Sequence, residues 1–534
     1  MDCTVTHLPY KDTNHFSKIV TDYLDRSSPL RAFYEHDVSI QGIQSAISAR
    51  EKFPTNRTVL VAELEKQYAS TITPERVKNN IQLLRKENTF SICTAHQPNI
   101  FTGHLYFIYK ILHAIRLADH LTESIPGNQF VPVFYMGSED ADIEELGNIW
   151  LNGEKLTWET QQSGAVGRMG TTGLEKIIER IEGELSVQPF GKQLVDILRR
   201  CYLNTQNIQE ATFQLINELF GEFGLVVLIA DNHHLKRQMV PVFKQDILEQ
   251  KPSELVGASI DQLQQVGVKV QANPRAINLF YLQDNLRERL KQNGDGLHVH
   301  NTNLAFSTDE ILKELEDHPE HFSPNVILRG LYQETILPDV AFIGGGGELA
   351  YWLELKSLFH HYKVPFPVLV LRNSFLIIEN HWKEKIEKLG LTEKDIFKSE
   401  WELLDKLVKE KSGHQLSLSK EKEDLKEFYR KQQELVSQVD KGLKQHIAAL
   451  EAKALKKLDA LEKKMVRAEK RKFAEEQRQL HELKQSLFPN GDLQERVENF
   501  MPYYARFGRE FLQMILDNSL TLEQEFTILE LSAK

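Results

Sequence analysis

Two histidines bracket a short polar stretch, His96-Gln-Pro-Asn-Ile-Phe-Thr-Gly-His104, that lies between an apolar run and an amphipathic segment. An imidazole at each end, the amide of Asn99, the hydroxyl of Thr102 and the bare backbone of Gly103 are equipment for holding an anion. The first N–H groups of a helix lack intrahelical partners and carry partial positive charge, so phosphates and carboxylates settle there. His96, Asn99, Thr102 and His104 are therefore the candidate catalytic donors. Gly103, which lets a phosphate approach the main chain, and Lys110, about two turns further on, are candidate nucleotide contacts. A plainer job also suits these types, because His and Asn side chains cap turns.

Three further places carry comparable chemistry. Ser138, Glu139, Asp140 and Asp142 follow an apolar run, where acidic groups bind a ribose, an ammonium group or Mg²⁺, or simply cap a helix. Gly344-Gly-Gly-Gly347 precedes Glu348; four successive glycines are costly to order unless the backbone must approach something closely, a ligand or a tight turn. No GxxxxGK[ST] motif accompanies them. Gly344, Gly345, Gly346 and Glu348, with Arg372 and Ser374, are nucleotide candidates. Arg329, Tyr351 and Trp352 join the 138–142 group as substrate candidates. Arg329 and Arg372, each read as the end of a strand, suit phosphate, carboxylate or an internal ion pair. His233 and His234 are adjacent but lack a spaced third ligand, so no metal ligand is assigned. Cys3, Cys93 and Cys201 are too scattered for a disulfide framework or a CxxC zinc site.

The elements that must position these groups alternate in type. Phe90–Thr94 and Phe130–Tyr135 read as buried strands, with a helix from Gly103 to His120 between them, whose Leu105, Ile108, Leu112 and Ile115 recur at helical spacing. Gly224–Asp231, Ser323–Arg329 and Val364–Arg372 read as three more core strands. The expected class is α/β: a Rossmann-like parallel sheet with two connecting insertions, plus an α-helical coiled-coil domain. The expected divisions are a mostly helical part of the core at 1–90, a first Rossmann half at 91–146, an insertion at 147–222, a core strand within 223–234, a second insertion at 235–322 and a second half at 323–390. A coiled coil at 391–490 and a C-terminal segment at 491–534, packing on the core, complete the chain. In the coiled coil, Ile447, Leu450, Ala454, Leu458, Leu461, Met465 and Ala468 step by three and four, and Gly442 is the breaker of an antiparallel hairpin. An intermolecular coil, hence a homodimer, is the other outcome. No apolar run reaches membrane-spanning length and the first residues lack a signal-peptide pattern, so a cytoplasmic protein is expected. A net charge of −11 argues against a general nucleic-acid binder.

HQPNIFTGHLYFIYK, SEDADIEE, NVILRGLYQETILPDVAFIGGGGELAYW, VPFPVLVLRNS and LFPNGDLQERVENF, in that order, resemble the BshC family, the cysteine ligases of bacillithiol biosynthesis. The resemblance spans nearly the whole chain. It implies a core similar to class I aminoacyl-tRNA synthetases and the addition of cysteine to glucosaminyl-malate, with ATP and Mg²⁺ activating the cysteine carboxylate as an acyl-adenylate or acyl-phosphate. In that likeness residues 96–104 take the place of the HIGH signature, and His96 and His104 would stabilise charge on the transferring group. Gly344–Glu348 resembles the adenosine-binding glycine segment. Arg372-Asn-Ser374 stands where the KMSKS loop falls, without its lysines. The competing classes are a nucleotide-binding regulator and a coiled-coil interaction protein with a retired enzyme core.

Overall fold

The chain is described here by a computed structural model covering residues 3–269, 272–294, 296–412 and 415–532. Five short apolar segments build its central sheet: β1 (Thr89–His96), β2 (Gln129–Met136), β3 (Val226–Ile229), β4 (Asp339–Gly344) and β5 (Val368–Leu371). Every residue of β1, β4 and β5 is buried. Such strands are apolar without alternation because both sheet faces are covered. The order is β3-β2-β1-β4-β5 and every pairing is parallel. This is doubly wound order. The winding reverses between β1 and β4, and ligands of such sheets bind beyond the strand C-termini at that reversal. Thr94 Oγ1 donates to Ile343 O at 2.8 Å and ties the two strands just before they part.

The expectation of a core strand over 323–329 is corrected here. Phe322–Pro324 is a short strand, but it pairs antiparallel with Leu279–Gln283 in a separate five-stranded sheet. Asn325 then caps a helix by accepting the Ile327 N–H, and α2 (Val326–Ile336) follows once α1 (Tyr106–Ser124) is counted first. A three-residue apolar run, Val326-Ile-Leu328, does not distinguish strand from helix by periodicity; here Ile327, Leu328 and Leu331 bury at helical spacing. Arg329 therefore sits on a helix, not at a strand end. The fifth core strand is Asp339–Gly344, so the first of the four successive glycines ends a strand. Gly346–Trp352 forms α3 directly after it.

α1 lies against β1 and β2 and buries Phe107, Ile108, Ile111, Leu112 and Ile115. Between β2 and β3 come a strand pair (Asn148–Leu151 with Glu154–Thr157) and three helices within 174–220. Between β3 and β4 come two helices, the antiparallel sheet and the helix Thr308–Asp317. Residues 7–376 and 492–527 form one compact unit.

The second unit, centred on 377–491, contains α4 (Ser419–Ser437) and α5 (Leu443–Lys470), which pack as an antiparallel hairpin turning at 438–442. Lys422 meets Asp459 and Glu462 across the seam, and Gln433 meets Glu451 nearer the turn, which fixes the register. Ile447, Ala454, Leu458 and Met465 are half-buried in the seam, joined by Leu455, whereas Leu450 and Leu461 face outward. Two helices alone cover only a narrow stripe, and no residue of α4 is fully buried. Among the described residues no helix is long and apolar enough to cross a membrane.

Candidate functional site

β1 delivers His96 to the point where β1 and β4 separate. The chain then makes a strained return: Phe101 (φ 48°) and Thr102 (φ 67°) are left-handed, and Gly103 follows at φ 65°. Such non-glycine conformations cost about 1–3 kcal/mol each and persist only when neighbours over-determine them. Here the Phe101 N–H donates to Tyr202 Oη at 2.8 Å, Asn499 Nδ2 donates to the Phe101 and Gly103 carbonyls, and the Leu105 N–H donates to Glu498 O at 2.8 Å. A Cβ on Gly103 would lie 3.0 Å from Asn99 Cβ, so the glycine is required by both torsion and space. The C-terminal segment thus braces the loop that the sequence marked first.

A cavity of about 600 Å³ opens above this loop. It gathers His96, His104, Lys110, Glu139, Asp140, Arg329, Gly345, Gly346, Glu348, Tyr351 and Arg372 from the candidates. Asn99, Thr102, Gly103, Ser138, Asp142, Gly344, Trp352 and Ser374 are not in its lining. Asn99 and Thr102 are buried beside it, with Asn99 Oδ1 and Thr102 Oγ1 unpartnered. Ser138 is buried under Gly167, and Asp142 caps the turn Ile143–Leu146. Trp352 stacks on Phe342, centroids 4.6 Å apart, inside the core. Of the four glycines, Gly344 is needed for packing, since its Cβ would meet Phe342 Cε1 at 2.8 Å. Gly345 and Gly347 have room, and with Gly346 they present bare backbone to the cavity.

His96 is a neutral ring. Burial, followed by the neighbouring Lys110 charge, pushes it down to about 3. It stacks on Tyr106, and Nε2 lies 3.3 Å from that hydroxyl. The Gln97 N–H donates to Nδ1 at 2.9 Å while Gln97 Oε1 lies 2.5 Å from the same atom; the first contact asks for a bare nitrogen and the second for a protonated one. With either tautomer the neutral ring has a single N–H to give. His104 Nδ1 is 3.2 Å from Val497 O, so that nitrogen carries the proton and donates to the carbonyl, and burial lowers its pKa too. Tyr106, pushed up to about 12 by burial, stays a phenol donor.

Charges divide into those already paired and those left open. Lys110 Nζ donates to Glu348 Oε2 and Ala95 O, both at 2.6 Å, and Glu348 also accepts the Gly345 N–H at 2.8 Å. Burial raises the Glu348 carboxyl, but Lys110 outweighs it and leaves the group below its ordinary value. Arg372 is buried, donates to Glu495 Oε1 at 2.7 Å and Ser374 Oγ at 3.1 Å, and stacks over Tyr106. Glu139 is taken by Lys236, which also holds Asp231 at 3.0 Å. Asp140 accepts from Gln97 Nε2 at 3.2 Å. Arg287 and Arg329, by contrast, have no carboxylate within ion-pair distance among the described residues. Arg287 donates to Ser323 Oγ at 3.1 Å and lies over Phe280, and Arg329 donates to the Tyr351 hydroxyl. Burial pulls the Arg287 guanidinium below its ordinary value. Asp140 is near enough to stabilise both charges. Burial works against the Arg329 charge too, but Glu348 helps hold that guanidinium above its ordinary value. Neither arginine is closed off by a directly paired carboxylate among the described residues, so both remain open to an anion.

Among the described residues no Ser, Thr or Cys lines the cavity, and its only side-chain hydroxyls are the phenols of Tyr106, Tyr135 and Tyr351. Sequence reasoning missed Arg287, Asn325, Tyr106, Gln97, Glu145 and Arg496 in the lining. Tyr106 and Gln97 lie within the quoted motif, and Glu495, Arg496 and Asn499 within LQERVENF, so a signal existed for these. Nothing around Arg287 marks it.

Residues 1–373 match the family described as "Bacillithiol biosynthesis BshC, N-terminal Rossmann-like domain", and 375–531 match "Bacillithiol biosynthesis BshC, C-terminal coiled-coil domain". A protein of Flavobacterium johnsoniae, named "Putative cysteine ligase BshC", is 40% identical over 98% of this chain and 99% of its own. Proteins with the same name from Christiangramia forsetii and Bacillus cereus are 38% and 26% identical, over 98% and 96% of this chain and 98% of each of theirs. The chain belongs to the BshC family.

Proposed function

We propose that this BshC-family chain is a cysteine ligase that joins the cysteine carboxylate to the amine of glucosaminyl-malate as an amide, the last step of bacillithiol biosynthesis. The observation that carries the reading is that the cavity lining holds both signs of charge: Arg287 and Arg329 have no carboxylate within ion-pair distance among the described residues, Gly345–Gly347 bring bare backbone, and Asp140 and Glu145 bring carboxylates. An acceptor that carries an amine and carboxylates needs both signs at once.

The fit of ATP rests on Gly345–Gly347, whose missing side chains leave main chain against open space, and on the place of the cavity at the reversal of the sheet. Gly345, Gly346 and Gly347, with His104 and Tyr106, would hold it, and Asp140 would hold its Mg²⁺. When bound, ATP supplies the leaving group for the cysteine carboxylate. The chain's own groups do the rest. Arg329 and Arg287 orient the carboxylates of the acceptor. His96, neutral across the working pH range, donates one hydrogen bond to the oxygen on which charge develops. Glu145 attracts the incoming ammonium. Burial, then repulsion from Asp142 and Asp140, raises the Glu145 carboxyl and suits it to take a proton from the amine. Positioning accounts for most of the acceleration.

The outward Leu450 and Leu461 of the hairpin support a homodimer formed through the coiled coil, checked by sedimentation of the full chain. The catalytic reading is tested with purified protein, ATP, Mg²⁺, cysteine and glucosaminyl-malate, following thiol product and nucleotide by mass spectrometry. Product matched by AMP or ADP, reduced about 10²–10³-fold in kcat by His96→Ala, is the expected result. ATP binding with no cysteine-dependent product would favour a nucleotide-binding regulator.

A further inference from the structure

We propose that His318, Glu320 and His321 form a binding site for a divalent transition-metal ion, separate from the cavity and independent of the ligase reading. One ligand atom from each of the three lies within 4.8 Å of the others. They come from the end of the helix Thr308–Asp317 and the tight turn Pro319–His321, which places them on one side of the chain. The two imidazoles lie nearly parallel, centroids 5.0 Å apart and 18° between planes. Bonds of 2.0–2.1 Å in a tetrahedral centre put neighbouring ligand atoms about 3.4 Å apart. His318 Nδ1 is already 3.2 Å from Glu320 Oε1, close to that spacing.

The groups behind these three are what distinguish the cluster from a chance surface pair. His321 Nδ1 meets Glu314 Oε1 at 2.7 Å, and the same oxygen accepts from Tyr281 Oη at 2.8 Å. That fixes a proton on Nδ1 and frees Nε2, the usual outer support of a ligating histidine. Glu320 Oε2 faces His233 Nδ1 at 2.6 Å, while His233 Nε2 accepts from Arg237 at 3.2 Å. His233 is therefore spent on aiming the carboxylate and leaves Oε1 for the ion. Two imidazoles and one carboxylate suit Zn²⁺, Co²⁺, Ni²⁺ or Cu²⁺ over Mg²⁺ or Ca²⁺, and the partial exposure of the cluster leaves water to fill the remaining position.

The test uses the full chain after chelator treatment and dialysis, titrated with Zn²⁺ by calorimetry and with Co²⁺ by visible absorption. One equivalent is expected to bind with a micromolar or tighter constant and to give the Co²⁺ band of a low-coordinate site. His318→Ala and Glu320→Gln should each weaken it at least tenfold, and His360→Ala, at another exposed histidine, should leave it unchanged. His318 is half-exposed at the end of its helix, so its alanine variant is expected to keep the wild-type circular dichroism and melting temperature. The proposal fails if no saturable Zn²⁺ site tighter than about 100 µM exists, or if such a site survives His318→Ala and Glu320→Gln together. Ligase turnover does not enter either outcome.

Discussion

Charged side chains are spent differently in the cavity and in the helical hairpin. Around the cavity the ion pairs are few and see little water: Arg372 with Glu495 at 2.7 Å and Lys110 with Glu348 at 2.6 Å, with Arg372, Lys110 and Glu495 buried. Along the hairpin the pairs are numerous and interchangeable. Arg430 meets both Glu427 and Glu434, and Lys422 meets both Asp459 and Glu462. Desolvation decides the contrast. A buried charge that loses its partner keeps the whole penalty, whereas an exposed one returns to water. The cavity is thus a place where single substitutions matter, and the hairpin one where the period of the apolar residues matters and the charges hardly do.

The largest test of that contrast is Glu495→Ala. It strands the Arg372 guanidinium, which stacks over Tyr106 beside His96, and should cost about 3–5 kcal/mol in denaturant unfolding of the core. Glu495→Gln, which keeps an acceptor, should recover part of that loss. An effect below 1 kcal/mol would mean that water reaches Arg372 and that cavity and hairpin do not differ in this respect. Next comes Gly103→Ala, where the left-handed torsion and the 3.0 Å approach to Asn99 Cβ predict a loss of about 1–3 kcal/mol. Turnover should fall further than stability, because the loop displaces His104. Equal stability of the variant would show that the loop is held less tightly than Asn499 and Tyr202 imply.

The same contrast explains what could be read from the chain alone. The β1 loop was legible because polar residues concentrated at a strand-to-helix joint have few structural reasons to be there. The hairpin was legible because its period is regular over seven positions, although the outward turn of Leu450 and Leu461 depends on where the partner helix lies, which no periodicity states. Arg287 was invisible: it sits in Leu286–Asn293, a strand whose alternating charges look like an ordinary solvated edge. Its value comes only from being folded over the end of the main sheet. Val326–Arg329 failed for a related reason. Three apolar residues satisfy either period, and the Asn325 cap marks the helix start.

A third test places a buried acid outside the cavity on the same scale. Asp246 accepts the Asn278 N–H at 2.6 Å and its side-chain amide at 3.0 Å, and Asn278 in turn bonds Asn325 in the cavity wall. Burial pushes its carboxyl up to about 7, against the pull of those amides. A pKa raised on folding means that the native state holds the proton longer. The contribution to stability is therefore full below about pH 4, the ordinary Asp range, and is lost as pH rises through 7. Unfolding free energies of wild type and Asp246→Asn, measured from pH 4 to 8, should diverge with pH and reach their widest gap above 7, the variant being more stable there. Parallel curves would place Asp246 with the solvated charges.

The smallest expected effect belongs to the hairpin. Lys422→Ala removes two contacts at once, to Asp459 and Glu462, yet each partner is open to water. Both carboxylates rehydrate on losing the lysine, and the chain regains the rotamer freedom that the pair had restricted. The unfolding midpoint should drop slightly at low ionic strength and match wild type at about 0.5 M salt, where the screening length is only a few ångströms. Leu458→Ala, one turn away in the seam, should lower it more than Lys422→Ala at every salt concentration, because apolar burial is not screened. If the lysine variant proved the worse of the two, the hairpin would be held by its charges, and the division drawn between the two regions would collapse.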